Sequence, residues 1–402
     1  MKKPYFSIVI PTKNRPELLA DSLASALWQN FDDMEVIVSD NYNDERTKAT
    51  VDTFANHSKL KYYRTPHEMN MLDHWEWATA KATGEYVLVL PDRKLLYQNA
   101  LSKLYTYIHD ELKESINCIA YHVNIFDEQK KQMGWNHHVV ASRIFDTTLL
   151  IKNFLSEPYY SGMGLDHFFP KTLNSCYKKS YVDAIRAKFV SYHNTKGCTT
   201  PDYSSFFINM AMNECVAYFG TPVLLSQGDA VSNGRNFGFG KHQSYLSSLR
   251  ITEDELYENL PLRLPIIYNW LIADFIKIQR KFGRGLKNIE IDMKNYFYVN
   301  YWEVMYKKSM AKIDIEVIEK IEKEVLDIAG AYDLEIQRYI IARYQNKSQD
   351  AQRNEIWSIS PLQTIWTHGV DYLKTNYSQY NIVNAIVKYR YTSAIEAAGY
   401  NH

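Results

Sequence analysis

The first ninety residues alternate short β-branched apolar runs with stretches in which apolar positions return every three to four residues. The strand-like runs are Tyr5–Ile10, Glu35–Ser39, Leu60–Arg64 and Tyr86–Leu90, each closed by polar or turn-forming residues. Between the first two, Pro16 stands where a first helical turn tolerates a missing N–H, and Leu18, Leu19, Leu23, Ala26 and Leu27 follow at helical spacing. Asp44 and Asn70 are placed to cap the second and third helices. Strands alternating with crossover helices predict a largely parallel α/β sheet.

Beyond Asn117 the pattern mixes. A strand is predicted at Cys118–Val123, a hairpin near Gly134, and a further strand at His138–Phe145. A polar segment, Ser191–Pro201, leads into a helix from about Asp202 to Cys215, then short strands at Val216–Phe219 and Val223–Leu225, and a loop marked by Gly228, Gly234, Gly238 and Gly240. After about Lys241 the periodicity is helical, with long segments at Leu260–Phe282, Ile313–Ile341 and Pro361–Ala398. This reading divides the chain into a first half-domain at 1–115, a second at 116–240 and a separate helical domain at 241–402. Leu264–Phe282 is apolar and ends in basic residues, which fits a buried helix or a peripheral membrane contact through the C-terminal helices.

Length and charge narrow the partners. The 402 residues suffice for two or three compact units, and 46 basic residues balance 46 acidic ones, so no long-range field favours nucleic acid. The four cysteines, Cys118, Cys176, Cys198 and Cys215, form no CxxC pair and indicate neither a zinc site nor a disulfide framework. The apolar run Phe6–Ile10 is too short for a signal peptide, and the expected location is the cytoplasm, including the inner face of the membrane.

In an open parallel sheet, ligands bind beyond the carboxyl ends of the strands. Pro11, Thr12, Lys13, Asn14 and Arg15 follow the first strand, Asp40, Asn41 and Asn43 the second, and Pro91, Asp92, Arg93 and Lys94 the fourth. Polar groups from three strands therefore converge on one edge.

The runs Phe6-Ser-Ile-Val-Ile-Pro-Thr-Lys-Asn-Arg-Pro-Glu-Leu-Leu, Glu35-Val-Ile-Val-Ser-Asp-Asn and Ala82-Thr-Gly-Glu-Tyr-Val-Leu-Val-Leu together resemble the family 2 glycosyltransferases of the GT-A fold. The resemblance covers about residues 5–240 and implies a GT-A type, Rossmann-like mixed sheet with crossover helices. It also implies a nucleotide-sugar donor held by Pro11, Thr12, Asn14, Arg15, Asp40, Asn41 and Asp92, and a glycan or lipid-linked glycan acceptor. Met71-Leu-Asp-His-Trp-Glu-Trp resembles the family's donor-side helix and makes Asp73 a donor contact, whereas burial explains Trp75 and Trp77. Thr200-Pro-Asp resembles the place where the family sets the base that deprotonates the acceptor, assigned here to Asp202; helix capping is its structural alternative. Asp166, His167 and His193 are reserves.

One departure from the family stands out. Members follow the fourth strand with a DXD motif that binds a divalent ion, but this chain reads Leu90-Pro-Asp-Arg-Lys, leaving Asp92 as the lone carboxylate in the turn. Arg93 and Lys94 disfavour a second cation there, so no metal is expected, and the two side chains are expected to take over the neutralisation of the departing phosphate. At about 4 Å and an effective dielectric near 20, each such pair contributes roughly 4 kcal/mol before desolvation. Inverting, metal-independent glycosyl transfer is the leading expectation. A CMP-activated acidic sugar as donor is a variant, and a nucleotide-sugar-binding scaffold without catalysis is the rival. A nucleotidyltransferase would need a glycine-rich phosphate loop where Pro11-Thr-Lys-Asn stands.

Overall fold

The computed structural model describes residues 3–42, 45–127, 132–133, 141–157, 168–227, 242–309 and 314–353. Four predicted strands form close to their expected bounds: β1 (Phe6–Thr12), β2 (Met34–Asp40), β3 (Leu60–Arg64) and β4 (Tyr86–Val89). They are followed by β5 (Lys94–Leu96), β6 (Cys118–Asp127), β7 (Gln132–Met133), β8 (Arg143–Asp146), β9 (Ser175–Lys178) and β10 (Cys215–Gln227). One mixed sheet runs in the order β3-β2-β1-β4-β9-β6-β10-β5, with β7 on β6 and β8 on β10. The pairs β1–β2, β1–β4 and β2–β3 are parallel, while β9 lies antiparallel to both β4 and β6. The expected boundary at 115/116 therefore falls inside a single sheet.

The helices around the first strands are α1 (Pro16–Leu27), α2 (Glu45–Asp52) and α3 (Met71–Thr79). Pro16 opens α1, and the Asn70 side chain caps α3 by accepting from the backbone N–H of Asp73 at 2.9 Å. Close packing beneath β4 requires Gly84: a β-carbon there would meet the backbone N and Oγ of Ser7, both at 2.7 Å. Ser7 Oγ in turn donates to Glu35 at 2.5 Å and accepts from the Gly84 N–H. Burial raises the Glu35 carboxyl, but Lys61, Ser7 and Thr83 outweigh it and hold the group below the usual range.

Three local expectations change. The strands expected at Val216–Phe219 and Val223–Leu225 form one continuous β10, because the break at Pro222 is absorbed by irregular register against β6 rather than by a turn. Lys94 belongs to no loop; it begins β5 opposite Ser226 of β10. The segment expected as one helix over Ile313–Ile341 breaks at Asp333 into two. The Gly134 hairpin, the glycine loop after β10, the Asp44 cap and the Pro361–Ala398 helix lie outside the described residues.

The remaining helices are α4 (Ala100–Thr106), α5 (Thr147–Ser156), α6 (Lys179–Phe189), α7 (Pro201–Met212), α8 (His242–Leu249), α9 (Glu253–Tyr257), α10 (Ile267–Phe282), α11 (Met293–Ser309), α12 (Ile315–Tyr332) and α13 (Leu334–Arg353). Among the described residues, the helices after 241 share a core with the sheet, and a smaller cluster joins Leu246, Leu249, Leu256 and Trp270 to Leu72 of α3. One hydrophobic cluster runs from Val9 and Val87 in the sheet through Phe154, Phe206 and Phe207 to Leu271, Phe275, Phe297, Val325 and Ile340. The apolar residues of α10, Trp270, Leu271, Ile272, Phe275 and Ile278, are buried, which removes them as a membrane-binding face. Glu303 of α11 fixes the start of α10 by accepting from the N–H groups of Ile267 and Tyr268 at 3.1 and 2.9 Å. Among the described residues no helix is long and apolar enough to cross a membrane.

Candidate active site

The sheet order reverses between β1 and β4, and a cleft of about 1530 Å³ opens there, at the carboxyl ends of β1, β2 and β4. Its sheet wall is Pro11, Thr12, Lys13, Arg15, Asn41, Pro91, Asp92 and Arg93. A second wall is the length of α3, from Asn70 through Asp73, His74, Trp75, Glu76 and Trp77. The third wall comes from Lys171, the start of α7 with Thr199, Thr200, Asp202 and Tyr203, and the helical region through Tyr245, Arg250 and Trp270.

The switch point is closed by two contacts to Asp92. Thr12 Oγ1 donates to Asp92 Oδ2 at 2.9 Å, and Arg15 Nη1 lies 3.5 Å from Asp92 Oδ1. Burial pushes the Asp92 carboxyl up, while Arg15, Thr12 and Arg93 pull it back. A carboxylate already shared in this way is a poor ligand for a divalent ion.

Arg93 lines the cleft, as its sequence position implied, but Lys94 does not. The pleat of β5 sends Lys94 inward: the residue is 7% exposed and its Nζ donates to the Leu173 carbonyl at 3.1 Å. Its assignment as a direct phosphate contact is corrected accordingly. Lys171, which sequence reasoning missed, instead supplies a cation to the cleft.

Asp40 is likewise turned away from the cleft. It is buried, and its Oδ2 accepts from the Tyr62 hydroxyl at 2.7 Å and Arg64 Nε at 3.2 Å. Asn14 is exposed, in a left-handed conformation (φ 55°), and is absent from the lining. Asn41 reaches the lining, but its amide donates to the Met69 carbonyl at 2.8 Å and accepts from the Met69 N–H at 2.9 Å, which shapes the loop before α3.

Along α3, Asp73 is exposed to the cleft and hydrogen-bonded to Asn70 and Asn194. Trp75 and Trp77 are only partly buried and both line the cleft, against the expectation of burial. His74 is buried, pushed down to about 4 by desolvation, and paired with Ser39 Oγ at 2.8 Å. Glu76 ties α3 to α6 and to the following loop: it accepts from Arg186 Nε at 2.5 Å and from the N–H groups of Tyr192 and His193 at 2.9 and 2.6 Å. His193 itself is fully buried and pushed down to about 3, with Tyr177 and Thr172 on its ring nitrogens, so this reserve base is sealed from the cleft. Asp166 and His167 lie outside the described residues.

Asp202 occupies the first turn of α7. Thr200 is the N-cap residue but makes no side-chain cap hydrogen bond, and the Asp202 carboxyl accepts from first-turn N–H groups, so Asp202 serves the helix start as well as facing the cleft. Its carboxyl is partly buried and pushed up by desolvation, opposed by Lys171, the backbone N–H groups of Tyr203 and Asp202, and Lys94. An acidic group at the cleft wall, a chain of basic residues along the sheet edge and two tryptophans together suit a ligand that is anionic at one end and carbohydrate-like at the other.

Comparison with known proteins agrees over the strands that build the first wall. Residues 7–164 match the model of "Glycosyl transferase family 2". Over 110 residues the chain is 33% identical to a GalNAc(5)-diNAcBac-PP-undecaprenol beta-1,3-glucosyltransferase of Campylobacter jejuni, an alignment covering 25% of this chain and 33% of that protein. The chain thus spans about a third of the length of this curated relative. Among solved structures, S. aureus TarS 1-349 in complex with UDP-GlcNAc is similar at 13% identity and a TM-score of 0.48, covering 85% of this chain and 92% of that one. The mannosyltransferase PcManGT from Pyrobaculum calidifontis, in complex with GDP-Man and Mn2+, is similar at 12% identity and a TM-score of 0.43, covering 87% and 88%. The segment that sets Thr12, Arg15, Asp73 and Asp92 around the cleft is thus the part of the chain, residues 7–164, that matches glycosyl transferase family 2.

Proposed function

We propose that this chain transfers a sugar from a nucleotide-sugar donor to a hydroxyl of a surface-glycan precursor, with inversion and without a divalent ion. The observation that carries the reading is the arrangement across the cleft: Arg15 and Arg93 at the sheet edge, Asp202 on the opposite wall. Asp202 accepts the proton of the acceptor hydroxyl, and the acceptor oxygen bonds to the anomeric carbon as the bond from that carbon to phosphate breaks. The electron pair leaves with the nucleotide, whose developing charge meets Arg93, a group capable of planar bidentate contact with phosphate. Thr12, Arg15 and Asp73 position the donor. The C. jejuni relative is named for a PP-undecaprenol-linked acceptor, which supports a lipid-linked glycan and work at a membrane surface.

The test is turnover in EDTA. UDP-, GDP-, dTDP- and CMP-sugars are screened by thermal shift, since a ligand far above its Kd raises stability by several kcal/mol, and each binder is assayed for transfer with and without manganese. Transfer that persists in EDTA and falls at least a hundredfold in Asp202→Asn, with nucleotide binding retained, is expected. A strict manganese requirement, or full activity of Asp202→Asn, overturns the mechanism; tight binding without turnover supports a scaffold instead.

A further inference from the structure

The segment carrying Lys171 is fastened to α7 by contacts that do not involve the Lys171 ammonium. The Thr172 N–H and hydroxyl both donate to Ser205 Oγ, at 3.1 and 2.7 Å, and Ser205 Oγ donates to the Asp202 carbonyl at 2.7 Å. Asn209 donates to the Pro170 carbonyl at 3.2 Å, and the rings of Phe169 and Phe206 stack at 4.5 Å. Lys171 Nζ lies 5.3 Å from the ring centroid of Tyr203, the residue after Asp202. Two elements far apart in sequence are thereby locked so that a cation and a carboxylate face the same cleft.

We infer that Lys171 is the positioning residue of the acceptor base, set by the fastened turn beside Tyr203 so that its cation and the Asp202 carboxylate face one cleft. The inference rests on the glycosyl-transfer reading and assigns this task to a residue outside the family-matched segment. Burial alone disfavours the charged form of Asp202, which is the form that accepts a proton. Several groups face this carboxylate: Lys171 from the turn before β9, Lys94 from β5, and Tyr245 from α8, whose hydroxyl donates to the Thr199 carbonyl at 2.7 Å. Asp274 of α10 faces Tyr245 and Thr199 from behind. Of the two cations that face Asp202, Lys94 is held at the Leu173 carbonyl and Lys171 lines the cleft. Lys171 acts through Asp202 and takes no proton itself.

The test compares wild type, Lys171→Met, Lys171→Gln and Lys171→Arg for transfer over roughly pH 5 to 9, with melting temperature as the control for folding. In the two neutral variants the acidic limb of kcat/KM is expected to move up by about one pH unit, with about tenfold lower activity on that limb and recovery toward wild type on the plateau. Lys171→Arg keeps the limb where it is. Neutral variants that melt like wild type and keep its acidic limb overturn the inference while leaving glycosyl transfer intact, as does an equal loss at every pH. Wild type without turnover on any donor overturns both.

Discussion

Asp274 and Thr199 are joined by three hydrogen bonds: the Thr199 N–H reaches Oδ1 and Oδ2 of the carboxyl at 2.8 and 2.9 Å, and its hydroxyl reaches Oδ2 at 3.0 Å. Thr200 adds its own N–H and hydroxyl at 3.2 and 3.3 Å. A side chain of α10 thus sets the start of α7 and, through it, the placement of Asp202. The helices beyond the family-matched segment are in this way part of the frame of the cleft.

This buried carboxyl predicts a pH signature in stability. Burial pushes Asp274 up to about 6 from 3.8, against the pull of Lys277 and the Thr199 and Thr200 donors. With the folded value above the unfolded one, the native state holds the extra proton between about pH 4 and 6, so this group's contribution is full below pH 4 and is lost as pH rises through 6, on the order of 3 kcal/mol at most. The melting-temperature difference between wild type and Asp274→Asn is expected to grow in favour of wild type from pH 7 to pH 4. A difference independent of pH would show that Asp274 does not titrate in this range.

Arg93 and its neighbour Lys94 separate by function. Arg93→Ala is expected to lower kcat tenfold or more, at least about 1.4 kcal/mol in the barrier, with melting temperature unchanged. Lys94→Ala removes a buried group bonded to the Leu173 carbonyl and is expected to destabilise the fold by about 1–3 kcal/mol in denaturant titration. Unchanged turnover in Arg93→Ala removes it from the leaving-group step.

Gly84→Ala is expected to cost about 1–3 kcal/mol, because the added methyl meets backbone and side-chain atoms of Ser7 at 2.7 Å and breaks the Ser7–Gly84 contact. Urea unfolding checks it; an unchanged midpoint would mean that β1 and β4 can separate without loss.

The sequence alone determined the strands β1 to β4, their crossover order, the Asn70 cap and the polar ends that make the switch point, because these follow from local periodicity, turn chemistry and the right-handed crossover rule. It also placed Thr12, Arg15, Asp73, Asp92, Arg93 and Asp202 at strand and helix ends, from which they reach one cleft. Tertiary structure alone decided which neighbours of those residues turn inward. Lys94 and Asp40 differ from Arg93 and Asn41 by one position, and in a strand one position reverses the side chain, so pairing with β10 and the Tyr62–Arg64 contacts decided the matter. Lys171, Tyr245 and Asp274 carry no local motif; the first two face Asp202 and the third holds Thr199 and Thr200 before it because buried apolar faces pack α7 against α10 and the β9 turn, and such long-range burial leaves no periodic trace in the chain.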